Sequence, residues 1–182
     1  MSERPLLGVT MGDPSGSGSE IVVKAWADPA VRRTARLVVL GDAGWMSKAI
    51  RLVGSEAKVH AIHDVAQARF AEDAIDVLQA TNVDLSDVVY GQVQAKAGQV
   101  AYDTVIAAID LAMAGQIDAL VTSAINKEAL NLAGHHYDGH TGLLAYRTGA
   151  RSVAMMLAAG TFRVTHVSTH CSLSEAIDRV RT

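Results

Sequence analysis

The chain has 182 residues, enough for one large domain, and 49% of them are hydrophobic, which supplies a sizeable core. The net charge of −3 without a basic stripe argues against nucleic-acid binding, and no apolar stretch approaches the length of a membrane span. The single cysteine, Cys171, cannot form a disulfide within the chain, and the start of the sequence lacks the pattern of a signal peptide. We therefore expect a soluble, cytoplasmic protein with no membrane or nucleic-acid partner.

Short apolar strands alternate with helices from the start of the chain. In order, the first part predicts strand 6–10, a turn rich in Gly, Ser and Pro at 11–19, helix 20–27, strand 36–40, helix 43–53 closed by Gly54, and strand 58–62. The following stretch is less regular: residues 74–78 could form a strand, and residues 81–98 are interpreted mostly as loop. The clearest helix spans residues 99–114, where apolar residues recur at helical spacing.

The same alternation continues in the second part. It predicts strand 118–122, helix 127–132, a helical turn or two at 143–148, two neighbouring strands at 152–157 and 162–167, and a final helix capped by Ser172. This order indicates an α/β fold with a largely parallel sheet. Ligands of such sheets bind beyond the carboxyl ends of the strands, where the chemically interesting segments fall.

Two of these segments combine glycines or a lysine with a strand end. In the first, Gly12, Gly16 and Gly18 lie between a strand and a helix, and their spacing fits neither the dinucleotide fingerprint nor a P-loop. A tight structural turn and a ligand-binding loop are equally consistent with it. In the second, Asn126 and Lys127 follow a strand, and Lys127 could meet a phosphate or carboxylate. The simpler interpretation is a solvated lysine at a helix start.

Histidines mark the other two segments. His140 and Thr141 place an imidazole and a hydroxyl side by side at a helix start, where they can bind a phosphate or carboxylate. The alternative is that Thr141 only caps the helix and His140 is an ordinary loop histidine. His170 follows a strand and could ligate a metal, but one histidine alone does not provide enough ligands for a metal site.

The remaining candidates carry weaker signals. His135 and His136 are interpreted as solvent or interface residues, and His166 as a packed strand residue. Cys171 lies next to His170, but adjacent side chains in extended chain usually point apart. None of these four is expected to be functional.

Four stretches in this order resemble the 4-hydroxythreonine-4-phosphate dehydrogenase family. They are Met11-Gly12-Asp13-Pro14, Asn126-Lys127-Glu128-Ala129-Leu130, Gly139-His140-Thr141, and Thr169-His170 followed by Leu173. The resemblance covers essentially the whole chain. Residues 131–138 are more similar to the branch acting on 4-phospho-D-threonate and 4-phospho-D-erythronate than to the branch acting on the vitamin B6 precursor.

The resemblance implies a three-layer α/β/α sandwich like that of isocitrate and isopropylmalate dehydrogenases, in a homodimer with active sites at the subunit interface. It further implies oxidation of a 4-phosphorylated 3-hydroxy acid by NAD, followed by decarboxylation, with a divalent metal ion (Zn, Mg or Co). When the roles of the family's residues are transferred to the matching positions here, the resemblance implies that His140 and Thr141 contact the substrate. It also implies that His170 is the first of three histidine metal ligands. Asp13 and Lys127 lie in family motifs, without an assigned role.

The chain also departs from the family pattern. The other two metal-ligand histidines and most cofactor-binding residues of the family have no counterpart here, so we interpret residues 1–182 as the N-terminal part of a C-terminally truncated fold. The boundary between the family's two lobes cannot be assigned. Gly142 stands where the family usually has Glu, Ser123-Ala124 where it prefers Ala-Pro, and Ser19 where it prefers Pro.

Two functional hypotheses follow, together with a weaker third. The chain is either the N-terminal part of a working dehydrogenase, or a non-catalytic fragment that at most binds phosphate weakly. In both cases we expect no NAD-dependent activity from the 182-residue chain alone. A phosphate-binding acyltransferase is the third interpretation, and it rests on fold analogy only.

Overall fold

The structure, a computed structural model, describes residues 4–137, 139–168 and 171–180. The strands are β1 (Leu6–Thr10), β2 (Arg36–Gly41), β3 (Lys58–Ile62), β4 (Ala74–Gln79), β5 (Ala119–Val121), β6 (Met156–Ala159) and β7 (Phe162–Thr165). The helices are α1 (Gly18–Ala27), α2 (Pro29–Thr34), α3 (Ala43–Leu52), α4 (Ala95–Met113), α5 (Lys127–Leu132), α6 (His140–Thr148) and α7 (Leu173–Arg179), with a short 3-10 helix at Val65–Gln67.

Strands β1 to β5 form one parallel sheet in the order β3-β4-β2-β1-β5. Strand β1 lies between β2 and β5, with Val9 level with Val39 on one side and with Val121 on the other. Because all five strands run the same way, their carboxyl ends share one edge of the sheet, here called the carboxyl edge. Their starts share the opposite, amino edge.

Both faces of the sheet are covered, which follows from the continuous apolar runs of its strands. On one face Val39 packs with Val23 of α1 and Trp45 of α3, all of them buried. On the other face Val38 and Leu40 pack in one cluster with Ala108 of α4. The fold is therefore the expected three-layer α/β/α sandwich.

Helix α4 begins at Ala95, so the prediction of loop through residue 98 is wrong at its end. Gly98, which helped to suggest a loop, lies inside the helix and is buried. A Cβ there would come within 2.0 Å of the Ala129 carbonyl oxygen. The glycine is therefore needed because α5 packs directly on the α4 backbone, a contact that helix periodicity cannot reveal.

Helix α2 is an element that the sequence analysis did not predict. Asp28 caps it by accepting a hydrogen bond from the Ala30 amide at 2.7 Å, and Pro29 occupies its first position. Proline is well tolerated there because its missing N–H would have no partner within the helix. Pro29 therefore starts a second helix as well as following the first.

Strands β6 and β7 are neighbours, as predicted, but they pair antiparallel around Gly160 as a hairpin separate from the main sheet. Strand β6 begins at Met156, four residues later than predicted. The cap of the final helix is confirmed, because the Ser172 hydroxyl accepts from the Glu175 amide at 3.3 Å. Across the described ranges, the helices are too short or too polar to cross a membrane.

Candidate functional site

The candidate site lies at the carboxyl edge, where two loops follow neighbouring strands. We call residues 11–17, after β1, the glycine loop, and residues 122–126, after β5, the β5 loop. The Asp13 amide donates to the Ala124 carbonyl at 2.9 Å, and the Ser123 amide donates to the buried Thr10 hydroxyl at 3.0 Å. These bonds join segments far apart in sequence into one surface.

Gly12 allows this close approach of the two loops. Its φ of +79° lies in the region that side chains disfavour, and a Cβ would stand 2.5 Å from the Ala124 carbonyl oxygen. Gly18 is similarly confined, since a Cβ there would lie 2.8 Å from the Ser123 hydroxyl oxygen. The close packing of the two loops therefore requires glycine at both positions, whether or not the loop binds a ligand.

Asp13 is the buried acid of the site, with 5% of the residue exposed. Its carboxylate accepts from the Ser15 amide at 2.7 Å, and its carbonyl accepts from the Gly16 amide at 3.1 Å. Burial raises the pKa of Asp13, and the hydrogen bonds from Ser15 partly oppose this rise. The side chain therefore shapes the turn of the glycine loop.

A cleft of about 270 Å³ opens between the two loops and a third segment, residues 91–93. The Gly91 amide donates to the Ser15 carbonyl at 2.8 Å, and the Gln94 side-chain amide donates to the Ser15 hydroxyl at 3.1 Å. This third wall could not be predicted from periodicity, since residues 81–94 lack a period. Gly91 was a signal in the sequence because glycine favours turns, and in the structure its φ is +74°.

Asn126 and Lys127 lie at the start of α5, as the strand-end argument predicted. The Asn126 side-chain oxygen caps the helix by accepting from the Ala129 amide at 3.0 Å, and the residue also lines the cleft. Lys127 is exposed, and its Cε lies 3.5 Å from the place of a Cβ on Gly139. The lysine therefore stands next to the start of α6 and does not line the cleft.

His140 is the first residue of α6 and is half-buried beside the β5 loop. Its Nε2 is shielded from solvent and has no hydrogen-bond partner among the described residues. Burial lowers the pKa of His140, and a hydrogen bond with the Ser123 main chain opposes this to a lesser degree. The imidazole is therefore held neutral at the carboxyl edge.

Thr141 is exposed in the first turn of α6, next to His140. The N-cap residue is Gly139, with a φ of +89° and no side-chain cap, so the alternative in which Thr141 caps this helix is wrong. The hydroxyl of Thr141 is therefore not used as the N-cap. Gly142 contributes no carboxylate to this turn.

Two further histidines near α6 have structural contacts. His135 stacks on Tyr102 with ring centres 3.5 Å apart, and its Nε2 lies 2.9 Å from the Gln99 side-chain oxygen. Its interpretation as a solvent residue is therefore wrong, because the ring packs on α4, and the interface alternative stays a prediction. His136 is exposed, with its Nδ1 3.2 Å from the Asn131 side-chain oxygen.

The candidate metal ligand His170 lies outside the described residues, so its prediction stays open. In the part of the chain that the structure describes, no three His, Cys, Asp or Glu side chains are grouped to hold a metal ion. Cys171 is half-buried with a free thiol, and His166 is half-buried just beyond β7. The described site is thus made of the two loops, residues 91–93 and the start of α6.

Comparison with known proteins gives consistent similarities. A family model described as "Pyridoxal phosphate biosynthetic protein PdxA" matches residues 33–182. The chain is 41% identical over 176 residues to D-threonate 4-phosphate dehydrogenase of Cupriavidus necator, covering 97% of this chain and 53% of that protein. It is 38% identical over 177 residues to 4-hydroxythreonine-4-phosphate dehydrogenase of Desulforapulum autotrophicum, covering 97% and 52%.

A solved structure is similar over the same extent. The crystal structure of a 4-hydroxythreonine-4-phosphate dehydrogenase from Burkholderia phymatum matches with a TM-score of 0.91 and 42% identity, covering 97% of this chain and 53% of that one. The chain therefore spans about half the length of the relatives that it matches.

Proposed function

Because the chain belongs to the PdxA family of pyridoxal phosphate biosynthetic proteins, we propose that it forms one side of the active site of a dehydrogenase. Its relatives are named as dehydrogenases of D-threonate 4-phosphate and of 4-hydroxythreonine-4-phosphate. Both substrates combine a phosphate, a carboxylate and a free hydroxyl group at C3. We therefore propose a 4-phosphorylated 3-hydroxy acid as the substrate, and a homodimer as the assembly.

The proposed reaction is an oxidation at C3 followed by decarboxylation. If NAD is bound, it would accept the hydride released when the C3–H bond breaks, and the hydroxyl proton would pass to a base. The product would be a β-keto acid. Its bond from the carboxyl group to the adjacent carbon would then break to release carbon dioxide, and the electron pair left on that carbon would form an enolate that takes up a proton.

His140 is the observation that supports this proposal most directly. A buried imidazole nitrogen without a partner is uncommon, and this one lies at the edge where α/β folds bind ligands. Held neutral by burial, the ring can donate one hydrogen bond and accept another. We propose that it binds a substrate oxygen, together with the neighbouring hydroxyl of Thr141.

The proposed cofactors need more than the described residues provide. The cleft of about 270 Å³ lies below the range of about 300–1,000 Å³ that is usual for small-molecule pockets, so a whole dinucleotide does not fit within it. A divalent metal ion bound through His170 would need further ligands, since the described ranges offer no cluster of three.

Substrate binding tests the role of His140. Titration calorimetry would measure the affinity of the 182-residue chain for 4-phospho-D-erythronate. The His140→Ala variant would be compared with a matched control, His136→Ala, which changes an exposed histidine. We expect the His140 variant to bind about tenfold more weakly, as for one lost hydrogen bond to a charged ligand, and the control to be unchanged. Equal affinities of the two variants would contradict the assignment.

Catalysis is the second test, and it measures whether this chain is sufficient for turnover. We expect the purified 182-residue chain, with NAD, substrate and a divalent metal ion, to produce no NADH above the rate without protein. Binding without turnover supports a chain that supplies only part of the site. Robust NADH formation would show instead that this chain is catalytically sufficient.

A further inference from the structure

A second cleft, of about 330 Å³, lies at the amino edge of the sheet, at the opposite end of the strands from His140. Four arginines line it: Arg4 before β1, Arg32 and Arg33 in α2, and Arg36 at the start of β2. We call it the arginine cleft. Its volume falls within the range of about 300–1,000 Å³ that is usual for small-molecule pockets.

Main-chain carbonyl groups hold three of these guanidinium groups in place. Arg32 Nη1 donates to the Glu72 carbonyl at 3.1 Å, Arg36 Nε donates to the Arg4 carbonyl at 3.1 Å, and Arg4 Nη1 donates to the Arg32 carbonyl. These acceptors carry no net charge. The bonds therefore fix the positions of the guanidinium groups without neutralising them.

Aromatic rings restrict the guanidinium planes further. Arg32 lies over the ring of Trp26 at 5.1 Å, and Arg36 lies over the ring of Phe70 at 5.4 Å. Such stacking leaves the N–H edges of a guanidinium free to meet an anion. A site that is ordered before binding loses less side-chain entropy when the ligand arrives.

The carboxylates of the cleft do not neutralise Arg4, Arg32 or Arg33. Its carboxylates are those of Glu72 and Asp76, but Asp76 is buried and already bonds His60 Nδ1 at 2.7 Å and the Phe70 amide at 2.8 Å.

Within the described ranges, no carboxylate forms an ion pair with Arg4, Arg32 or Arg33. The Nε of Arg32 is also shielded from solvent without an acceptor among the described residues. A partly desolvated guanidinium without an anionic partner is unfavourable, and a bound anion would relieve that cost.

We propose that the arginine cleft binds the phosphate group of a small anion. A phosphate offers several acceptor oxygens and up to two negative charges, which matches a cleft lined by several arginines. The site is separate from the proposed substrate site, because the two lie at opposite edges of the same sheet.

Pyrophosphate is the probe that tests this site, measured by titration calorimetry on the 182-residue chain at low salt. We expect Arg33→Gln, a change at an exposed residue whose side chain has no hydrogen bond among the described residues, to weaken binding about tenfold. The matched control Arg51→Gln removes an exposed arginine of α3 outside the cleft and should leave the affinity unchanged. Circular dichroism would check that both variants remain folded.

Three results would overturn the proposal. One is the absence of binding at millimolar pyrophosphate, and another is equal weakening by Arg51→Gln, which would indicate general charge attraction. The third is malonate binding as tightly as pyrophosphate, since the assignment is to phosphate and not to carboxylate. A His140→Ala variant should keep its affinity for pyrophosphate, so failure of the substrate proposal and failure of this one are distinguishable.

Discussion

Replacing Gly12 with alanine tests whether contact between the glycine loop and the β5 loop organises the carboxyl edge. The φ of +79° would cost alanine about 1–2 kcal/mol. The new Cβ would stand 2.5 Å from the Ala124 carbonyl oxygen, and the movement that relieves this overlap costs about 1–3 kcal/mol more. Each kcal/mol lowers the melting temperature of a domain of this size by about 2–4 °C, so we expect a decrease of about 10 °C.

Thermal unfolding followed by circular dichroism measures this decrease, with two control variants. Gly115→Ala has a similar φ of +69° with no described atom within 4 Å of the new Cβ, so it isolates the backbone strain. Gly16→Ala meets only the Asp13 carbonyl oxygen, at 3.5 Å, and should be nearly neutral. If Gly12→Ala destabilises the protein no more than Gly115→Ala does, the close contact with Ala124 is not important and the reasoning fails.

Three further changes probe packing and pH dependence. Gly98→Ala would place a Cβ 2.0 Å from the Ala129 carbonyl oxygen. We therefore expect the free energy of unfolding, measured by urea titration, to fall by about 3 kcal/mol. A smaller loss would mean that α5 can shift to relieve the overlap. Leu143→Ala removes a side chain that lies between α6 and α4 and is only 1% exposed. The free energy of unfolding should fall by about 2–5 kcal/mol in the same assay. A smaller loss would mean that the surrounding residues collapse into the cavity. Burial lowers the pKa of His135 and of His140 below the value of about 6.5 in the unfolded chain. The unfolded chain therefore binds protons first as the pH falls, and the free energy of unfolding should decrease below about pH 6.5. The double variant His135→Gln/His140→Gln should flatten this decrease, and an unchanged slope would exclude these two histidines as its cause.

The strands of the main sheet could be predicted because each is a short apolar run that ends at a turn residue or a polar residue. The alternation with helices then required parallel pairing, and the parallel sheet placed the glycine loop and the β5 loop at one edge. The start of α4 could not be predicted in the same way. Gly98 and its polar neighbours favour loop locally, whereas packing against α5 stabilises helix.

The candidate site was likewise predictable from the sequence only in part. The strand-end argument correctly placed the glycine loop, Asn126 and the start of α6 at the carboxyl edge. It left undecided whether Gly12 serves a turn or a ligand, and it missed the wall formed by residues 91–93. Both depend on hydrogen bonds between distant segments, such as that from the Gly91 amide to the Ser15 carbonyl at 2.8 Å.

The sequence by itself determined the α/β class, the positions of the main strands and the identity of His140 and Thr141 as candidate substrate contacts. Apolar periodicity and turn residues carry the first two because they act over a few neighbouring residues, whereas the role of His140 and Thr141 is what the family resemblance implies. Only the tertiary structure decided which loops meet, that Gly12 is confined by the Ala124 carbonyl, and that His140 is held neutral by burial. It also gathered the arginines of the amino edge into one cleft, because strand order brings together groups that no local pattern connects.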